Sequence, residues 1–341
     1  MFEGLFSRHR NGDRTVNASA ASERPTLERP SIGLALGGGA ARGFAHIGVL
    51  RTLAANGIVP DVIVGTSIGA VVGGTYAANE LDEMEAWARK LTFRGILGQL
   101  DISLSGAGLI SGRKLDAQLK AALGEGKIED LPIRFAAIAT EFTTGHEIWL
   151  THGRLVDALR ASYALPGIFP PVRIAGRWLV DGALVNPVPV SAARALGARL
   201  VIAVGLNSDL FGRGTVIADY GTNDVDDGIP PPSESSGLRG IFHDGFSLRH
   251  LFGGRQRPGI PTVMIEAFNV MQDRITRARL AGDPPDVSIM PKVGSVGWFD
   301  FHRASQSIEL GAEAAEKALP SIQEAIAALS HPVEANGGSA K

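Results

Sequence analysis

The sequence predicts an α/β fold with a mainly parallel sheet that helices cover on both faces. Short apolar runs, which are typical of buried strands, alternate with segments in which apolar residues recur at helical spacing. The 341 residues are 45% hydrophobic, which is enough for a sizeable core. The chain contains no cysteine, so a thiol nucleophile, a disulfide and a zinc–thiolate site are excluded.

The elements can be assigned in chain order. Ile32–Leu36 is a short, mostly apolar run and is predicted as a buried strand, and Ala41–Ala55 is predicted as a helix because Ile47, Leu50 and Leu53 recur at helical spacing. Further strands are predicted at short apolar runs: Asp61–Val64, Ile133–Thr140, His146–Leu150, Trp178–Val180 and Leu200–Val204. Further helices are predicted at Ser67–Ala78, Pro189–Leu196, Pro261–Leu280 and from His302 to about Ser330, with a short run, Val287–Met290, before the last of them.

Composition divides the chain into one domain with flexible additions. Residues 1–30 are polar and lack any period, so they are predicted as a disordered arm, and residues 331–341 as a disordered tail. Residues 31–330 then form a single domain. Within it, residues from about 207 to 258 are dense in Gly, Pro, Ser and Asp, which is typical of a flexible insertion.

Charge and hydropathy limit the partners. With 33 basic and 35 acidic residues the formal net charge is −2, so we expect no nucleic-acid partner. The N-terminal residues lack the continuous apolar core of a secretory signal. The uncharged stretch Val62–Ala78 is shorter than the roughly 20 residues of a membrane span. The expected location is cytoplasmic, with transient contact at the membrane surface.

The strongest local motif is G-T-S-I-G, at Gly65–Gly69. It follows a predicted strand and precedes a predicted helix, which is the context of a nucleophile elbow. In such a turn the Ser67 hydroxyl stands above the sheet edge, and the dipole of the following helix favours developing negative charge. The alternative is that Ser67 only caps the helix.

In the glycine-rich segment Gly33–Gly43, three consecutive glycines follow the first predicted strand. Its amides can bind an anion, which suits either an oxyanion hole or a dinucleotide loop. In the dinucleotide pattern that begins at Gly37, Arg42 stands in place of the third glycine. The acidic residue expected at the end of the next strand is missing, since Asp61 begins that strand. The nearby elbow favours the oxyanion hole, and a plain tight turn is the remaining alternative.

A serine nucleophile needs a base, and Asp181 is the better candidate. It ends the predicted strand Trp178–Val180 and is followed by Gly182, so its carboxylate can reach a neighbouring elbow. Burial would raise its pKa into the range of a general base. A triad of Ser67, Asp181 and His302 stays open, as does a plain turn at Asp181.

Four segments in this order resemble the patatin-like phospholipase family, and within it the bacterial proteins similar to the catalytic domain of neuropathy target esterase. The resemblance covers roughly residues 31–206. The segments are G-G-G-A-A-R-G at Gly37–Gly43, G-T-S-I-G at Gly65–Gly69, R-A-S-Y-A-L-P-G-I-F-P-P-V at Arg160–Val172 and D-G-A-L-V-N-P-V-P-V at Asp181–Val190. Many relatives have Gly-Gly after the aspartate, where this chain has Gly-Ala.

The resemblance implies a three-layer α/β/α fold and a Ser–Asp dyad, with Ser67 as nucleophile and Asp181 as base. It also implies an oxyanion hole from Gly37, Gly38 and Gly39, with the positive charge of Arg42 nearby. The implied activity is hydrolysis of acyl esters of phospholipids or lysophospholipids through an acyl-enzyme, with no metal or organic cofactor. The alternatives are an acyltransferase that uses the same acyl-enzyme and a non-catalytic anion- or nucleotide-binding module.

The second half of the insertion has the composition of an interfacial element. In Leu238–Arg257, Phe and Leu residues alternate with Arg residues. Apolar side chains of this kind enter the headgroup region of a membrane while arginine attracts anionic lipid. We therefore expect this segment to contact lipid, with the Gly- and Pro-rich stretch Gly228–Gly237 allowing it to move.

Overall fold

The computed structural model describes residues 29–92, 110–207 and 260–330. The predicted tail, most of the predicted arm and most of the predicted insertion, including Leu238–Arg257, lie outside these residues. The two described residues of the arm lie on the domain: Pro30 is buried, and Arg29 forms an ion pair of 2.8 Å with Asp61.

A mixed sheet of eight strands lies at the centre of the described residues. The strands are β1 (Ile32–Leu36), β2 (Val62–Thr66), β3 (Arg134–Glu141), β4 (Glu147–Leu150), β5 (Val172–Ile174), β6 (Arg177–Asp181), β7 (Leu200–Val204) and β8 (Val287–Ile289). Their order is β5-β6-β3-β2-β1-β7-β8, and β4 pairs with β3. The five strands from β3 to β8 in this order are parallel, while β4 and β6 run antiparallel to β3.

The long strand β3 brings the ends of two other strands together. Its first half pairs with β2 as far as Thr66, opposite Ile138, and its last residues pair with β6 from Asp181, opposite Ala139. Because β4 occupies the other edge of β3 at these positions, β2 and β6 lie on the same edge, end to end. The residue that follows Thr66 therefore lies beside Asp181.

Eight α-helices accompany the sheet in the described residues. They are α1 (Ala45–Ala55), α2 (Ile68–Ala77), α3 (Leu81–Arg89), α4 (Arg113–Leu123), α5 (Leu155–Ser162), α6 (Val190–Ala195), α7 (Ile260–Gly282) and α8 (Ala304–Ser330). The core between the sheet and α1, α2, α3, α5 and α8 is the larger one. On the opposite face, α6 and Leu280 of α7 cover the sheet. This is the three-layer α/β/α arrangement that was predicted.

Most predicted elements are confirmed, with differences where the local pattern is weak. The predicted helix Ala41–Ala55 begins with a 3₁₀ turn, Ala40–Phe44, before α1. Helices α3 and α4 and the short strand β5 were not predicted. Of α4 only Leu119 is buried, so its apolar stripe is narrow. Among the described helices, none is long and apolar enough to cross a membrane.

Candidate active site

Ser67 occupies the turn between β2 and α2. Its backbone has φ 56° and ψ −124°, a left-handed conformation that a side chain rarely adopts. Such strain persists only where surrounding structure holds it, and it is typical of functional turns. The predicted strand–turn–helix geometry around Ser67 is therefore present.

The glycines on either side of this turn are required by close packing. A Cβ atom on Gly65 would lie 2.4 Å from the Ala70 backbone, and one on Gly69 would lie 2.2 Å from the Leu36 carbonyl oxygen. Neither position can hold a side chain without moving backbone. The two glycines let α2 begin directly above the end of β1 and β2.

The Ser67 hydroxyl donates a hydrogen bond of 2.7 Å to Oδ2 of Asp181. The other carboxylate oxygen, Oδ1, accepts a hydrogen bond of 2.8 Å from the Ala183 amide. The Asp181 main chain is fixed as well, since its carbonyl accepts from the Thr140 hydroxyl. The structure thus places the two residues predicted as nucleophile and base in direct contact.

The electrostatics of Asp181 suit a proton acceptor. Burial raises the pKa of its carboxyl to about 7, while the hydrogen bonds from Ala183 and Ser67 act in the opposite direction. No cationic side chain contributes to this shift. A carboxylate with a pKa near neutrality can take a proton and return it at physiological pH.

No histidine contacts the two residues within the described part of the chain. His46 is buried, and its Nε2 lies 2.8 Å from the Gly37 carbonyl oxygen. Burial lowers the pKa of His46 to about 4, so the ring is neutral at pH 7. His302 is exposed in the 3₁₀ turn Phe301–Arg303. This arrangement favours a dyad of Ser67 and Asp181 over a triad that includes His302.

The side-chain hydroxyls of Ser162 and Thr66 hold the elbow through contacts that were not predicted from the sequence. The Ser67 amide donates to the Ser162 hydroxyl at 2.9 Å, and that hydroxyl donates to the Ile138 carbonyl at 2.6 Å. The Thr66 hydroxyl donates to the Asn186 carbonyl at 2.8 Å. Ser162 lies in Arg160–Val172, one of the four segments that carry the family resemblance, but the sequence does not reveal its contact with Ser67.

The glycine loop lies against the dyad, and its amides have different partners. The Gly37 amide donates to the Val204 carbonyl, and the Gly38 amide donates to the Pro187 carbonyl. The Gly39 amide has no acceptor among the residues that the structure describes. A Cβ atom on Gly38 would lie 3.5 Å from Cβ of Ser67, so the loop borders the space beside the nucleophile.

Arg42 is buried behind this loop. Its Nε donates a hydrogen bond of 2.8 Å to the Val296 carbonyl, and the Ala41 amide donates to the Trp298 carbonyl. Both bonds join the glycine loop to the segment that precedes α8. Arg42 therefore has a clear structural contact, and its charge lies close to the loop.

An apolar cavity of about 410 Å³ has Ser67 and Asp181 in its wall. Its walls are mainly aliphatic and aromatic, with Val71, Trp87, Leu119 and Phe169 among them. The lining also includes three exposed residues, Glu83, Ala121 and Ala122. The volume lies within the usual range of about 300–1,000 Å³ for ligand sites. No cluster of His, Asp and Glu suited to a metal ion occurs in the part of the chain that is described.

Comparison with known proteins gives the family. A family model described as patatin-like phospholipase matches residues 34–194, which include Ser67 and Asp181. An uncharacterized NTE family protein of Mycobacterium tuberculosis is 34% identical over 334 residues, covering 86% of this chain and 92% of that protein. The chain belongs to the patatin-like phospholipase family. The predicted resemblance is confirmed.

Two further relatives match this patatin-like protein over a shorter range. Lysophospholipase NTE1 of Yarrowia lipolytica is 36% identical over 187 residues, which is 53% of this chain and 13% of that protein. A patatin-like phospholipase domain-containing protein of Caenorhabditis elegans is 38% identical over 197 residues, or 56% and 14% of the two chains. The shared part is thus a small portion of two much longer proteins.

Proposed function

We propose that this patatin-like protein hydrolyses acyl esters of lysophospholipids or phospholipids, with Ser67 as nucleophile and Asp181 as base. The observation that carries the proposal is the hydrogen bond of 2.7 Å between Ser67 and Asp181 in the wall of an apolar cavity. The Ser67 hydroxyl, on a strained backbone turn, contacts a buried carboxylate, and the adjoining cavity has room for an acyl chain. The name of the Yarrowia lipolytica relative supports a lysophospholipid as substrate.

The reaction has two halves. Ser67 Oγ attacks the ester carbonyl carbon while its proton moves to Asp181, and the carbonyl electron pair moves onto the oxygen. The tetrahedral intermediate collapses to an acyl-enzyme as Asp181 returns the proton to the leaving alcohol. Water, deprotonated by Asp181, then attacks the acyl-enzyme carbonyl carbon to give a second tetrahedral intermediate. As this intermediate collapses, the bond from Ser67 Oγ to carbon breaks, Asp181 returns the proton to Ser67 Oγ, and the fatty acid is released.

The oxyanion of both intermediates is proposed to lie at the glycine loop of Gly37, Gly38 and Gly39. Since the first two amides donate to main-chain carbonyls, the Gly39 amide is the loop donor that stays available. Arg42 adds positive charge behind the loop. The N-terminus of α2 also favours negative charge at this point.

The experiment that tests the proposal measures fatty acid released from a panel of lysophospholipids and diacyl phospholipids. Hydrolysis of lysophospholipids, absent in Ser67→Ala, supports it. The same panel with added glycerol distinguishes hydrolysis from transfer, because an acyltransferase would form an acylglycerol in place of the fatty acid. Binding of vesicles to the protein tests the proposed transient contact with a membrane surface.

The pH dependence of the reaction follows from the burial of Asp181. Because its carboxyl has a pKa of about 7 and must be ionised to act, kcat/KM should be constant above about pH 8 and fall about tenfold per pH unit below 7. A soluble short-chain ester measured from pH 5 to 9 gives this profile. A limb near pH 4 would show that Asp181 is an ordinary carboxylate or is not the base.

Val71 should limit the length of the acyl chain that the enzyme can hydrolyse. This residue lies one turn beyond Ser67 on α2 and lines the cavity. A Phe at this position would close the cavity near the nucleophile, and each excluded methylene loses about 0.8 kcal/mol of binding. Excluding four methylenes therefore costs about 3 kcal/mol, or about a hundredfold in kcat/KM.

The comparison that tests this uses Val71→Phe with butanoyl and hexadecanoyl esters of the same alcohol. We expect near-normal activity on the short ester and a large loss on the long one. Ala122→Phe, at an exposed position of the same cavity wall, is the matched control and should lose less. An equal loss on both esters in Val71→Phe would contradict an acyl chain lying along α2.

A further inference from the structure

Helix α7 presents a buried polar side chain to the space beside the nucleophile. Ile265, Phe268, Asn269 and Gln272 recur at helical spacing and form the inner face of this helix. Ile265 and Phe268 pack with Ala183 and Trp298 next to the dyad. Gln272 continues this face and is only 1% exposed.

The amide of Gln272 has a fixed direction. Its Oε1 accepts a hydrogen bond of 3.2 Å from Nδ2 of Asn207, which is itself buried. This contact identifies the oxygen side of the amide and turns Nε2 the other way. Nε2 has no acceptor among the residues that the structure describes. Gln272 is almost entirely buried, yet Nε2 is not among the fully enclosed side-chain atoms that lack a partner, so this donor borders open space.

Nε2 of Gln272 faces the space in which the ester must react. A carbon atom placed on Gly38 Cα would lie 3.5 Å from Cβ of Ser67, 3.5 Å from Cβ of Ala183 and 3.8 Å from Nε2 of Gln272. This small space is therefore bordered by the nucleophile, by the residue that binds Asp181 and by a free amide donor. Hydrogen bonds that act in catalysis are often long before substrate binds and shorten in the complex.

We propose that Gln272 donates a hydrogen bond through Nε2 to the ester carbonyl oxygen as it becomes an oxyanion. In this step the Ser67 Oγ–carbon bond forms, the carbonyl electron pair moves onto the oxygen and the Ser67 proton passes to Asp181. Side-chain amides serve as oxyanion donors in other hydrolases. Gln272 supplements the loop, in which Gly37 and Gly38 donate to main-chain carbonyls. The inference rests on the proposed function.

Asn207 acts as a positioning residue in this account, because it touches the amide and not the substrate. Replacing it with Leu leaves Gln272 in place but removes the contact that orients the amide. In a double-mutant cycle, Asn207→Leu should lower kcat alone and add little once Gln272 has been replaced.

The test compares Gln272→Met with wild type on a soluble ester and on lysophosphatidylcholine. Met has a similar length and cannot donate, so kcat should fall about a hundredfold with little change in KM. Binding of an alkyl trifluoromethyl ketone, which forms a tetrahedral adduct with Ser67, should weaken by the same factor. The pH dependence of kcat/KM should keep its shape, because an amide does not titrate.

Asn269→Leu is the matched control, since it removes a buried amide from the same helix face away from Gly38. It should retain kcat whatever it does to thermal stability. A folded Gln272→Met protein with normal kcat, or one whose loss of activity matches that of Asn269→Leu, would overturn the inference. Should Gln272→Met fail to fold, Gln272→Glu decides: it keeps the shape, and normal kcat in that variant would also overturn it. A wild-type protein without esterase activity would refute the proposed function itself. Normal activity in both the wild type and Gln272→Met would refute only the role of Gln272.

Discussion

Ser67→Ala and Asp181→Asn are each expected to lower kcat by about ten-thousand-fold or more on any acyl ester, because the two side chains act as one unit. The hydroxyl and the carboxylate share one hydrogen bond of 2.7 Å, and neither can perform the proton transfer alone. The double variant should be no slower than the slower single variant. His302→Gln, which changes an exposed ring, should keep most of the activity, and a folded but inactive His302→Gln protein would favour the triad.

Stability measurements separate this loss of activity from unfolding. The buried Asp181 binds its proton more tightly in the folded protein, with a pKa of about 7, than in the unfolded chain, with a pKa of 3.8. The free energy of unfolding of the wild type therefore falls as pH rises from about 4 to 7, by at most about 4 kcal/mol from this group. Asp181→Asn has no charge to bury, so it should be more stable than wild type at pH 8, with a smaller difference at pH 4. Lower stability of this variant at pH 8 would contradict the account of Asp181.

Gly38→Ala is expected to lower kcat by about a hundredfold, because a methyl group that displaces the carbonyl oxygen from one oxyanion donor costs about as much as removing that donor. The new methyl group would fill the space bordered by Ser67, Ala183 and Gln272, in which the carbonyl oxygen is proposed to lie. Its contacts of 3.5 Å and 3.8 Å are ordinary van der Waals distances, so the fold should tolerate it. Steady-state kinetics on a soluble ester together with a thermal melt measure both effects.

Gly282→Ala is the control for this substitution. Gly282 ends α7, and a Cβ atom there would have no neighbour within 4 Å. Its kcat should match that of wild type. Normal turnover in Gly38→Ala would mean that the space beside Gly38 is not where the ester carbonyl lies, and it would remove the loop from the mechanism.

The parts of the fold that were predicted are those with strong local signals. Strands such as β1 and β7 are continuous apolar runs because both of their faces are buried, and this pattern is visible in the sequence. The elbow was predicted because a serine between two glycines, after a strand and before a helix, is typical of a nucleophile elbow. The contact between Ser67 and Asp181 was expected from the family resemblance and from the position of Asp181 at a strand end.

The parts that were not predicted depend on contacts between distant segments. Ser162 supports Ser67 across 95 positions of sequence, and Gln272 lies 234 positions from Gly38. A single glutamine in a helix is, in sequence alone, a solvent-facing residue. Its burial follows only from the packing of α7 against the segment Gly182–Leu184, which no local period reveals. The amide partners of Gly37 and Gly38 are likewise set by the neighbouring main chain.

Covalent labelling with a fluorophosphonate, read by mass spectrometry of the intact protein and its peptides, tests directly whether Ser67 and Asp181 act as nucleophile and base. We expect one adduct per chain, located on Ser67. Labelling should be absent in Ser67→Ala, strongly slowed in Asp181→Asn and unchanged in His302→Gln. Its rate should rise with pH around 7, where Asp181 ionises. A folded, wild-type protein that takes no label at Ser67, or that is labelled equally well in Asp181→Asn, would contradict the assignment of Ser67 and Asp181 as nucleophile and base.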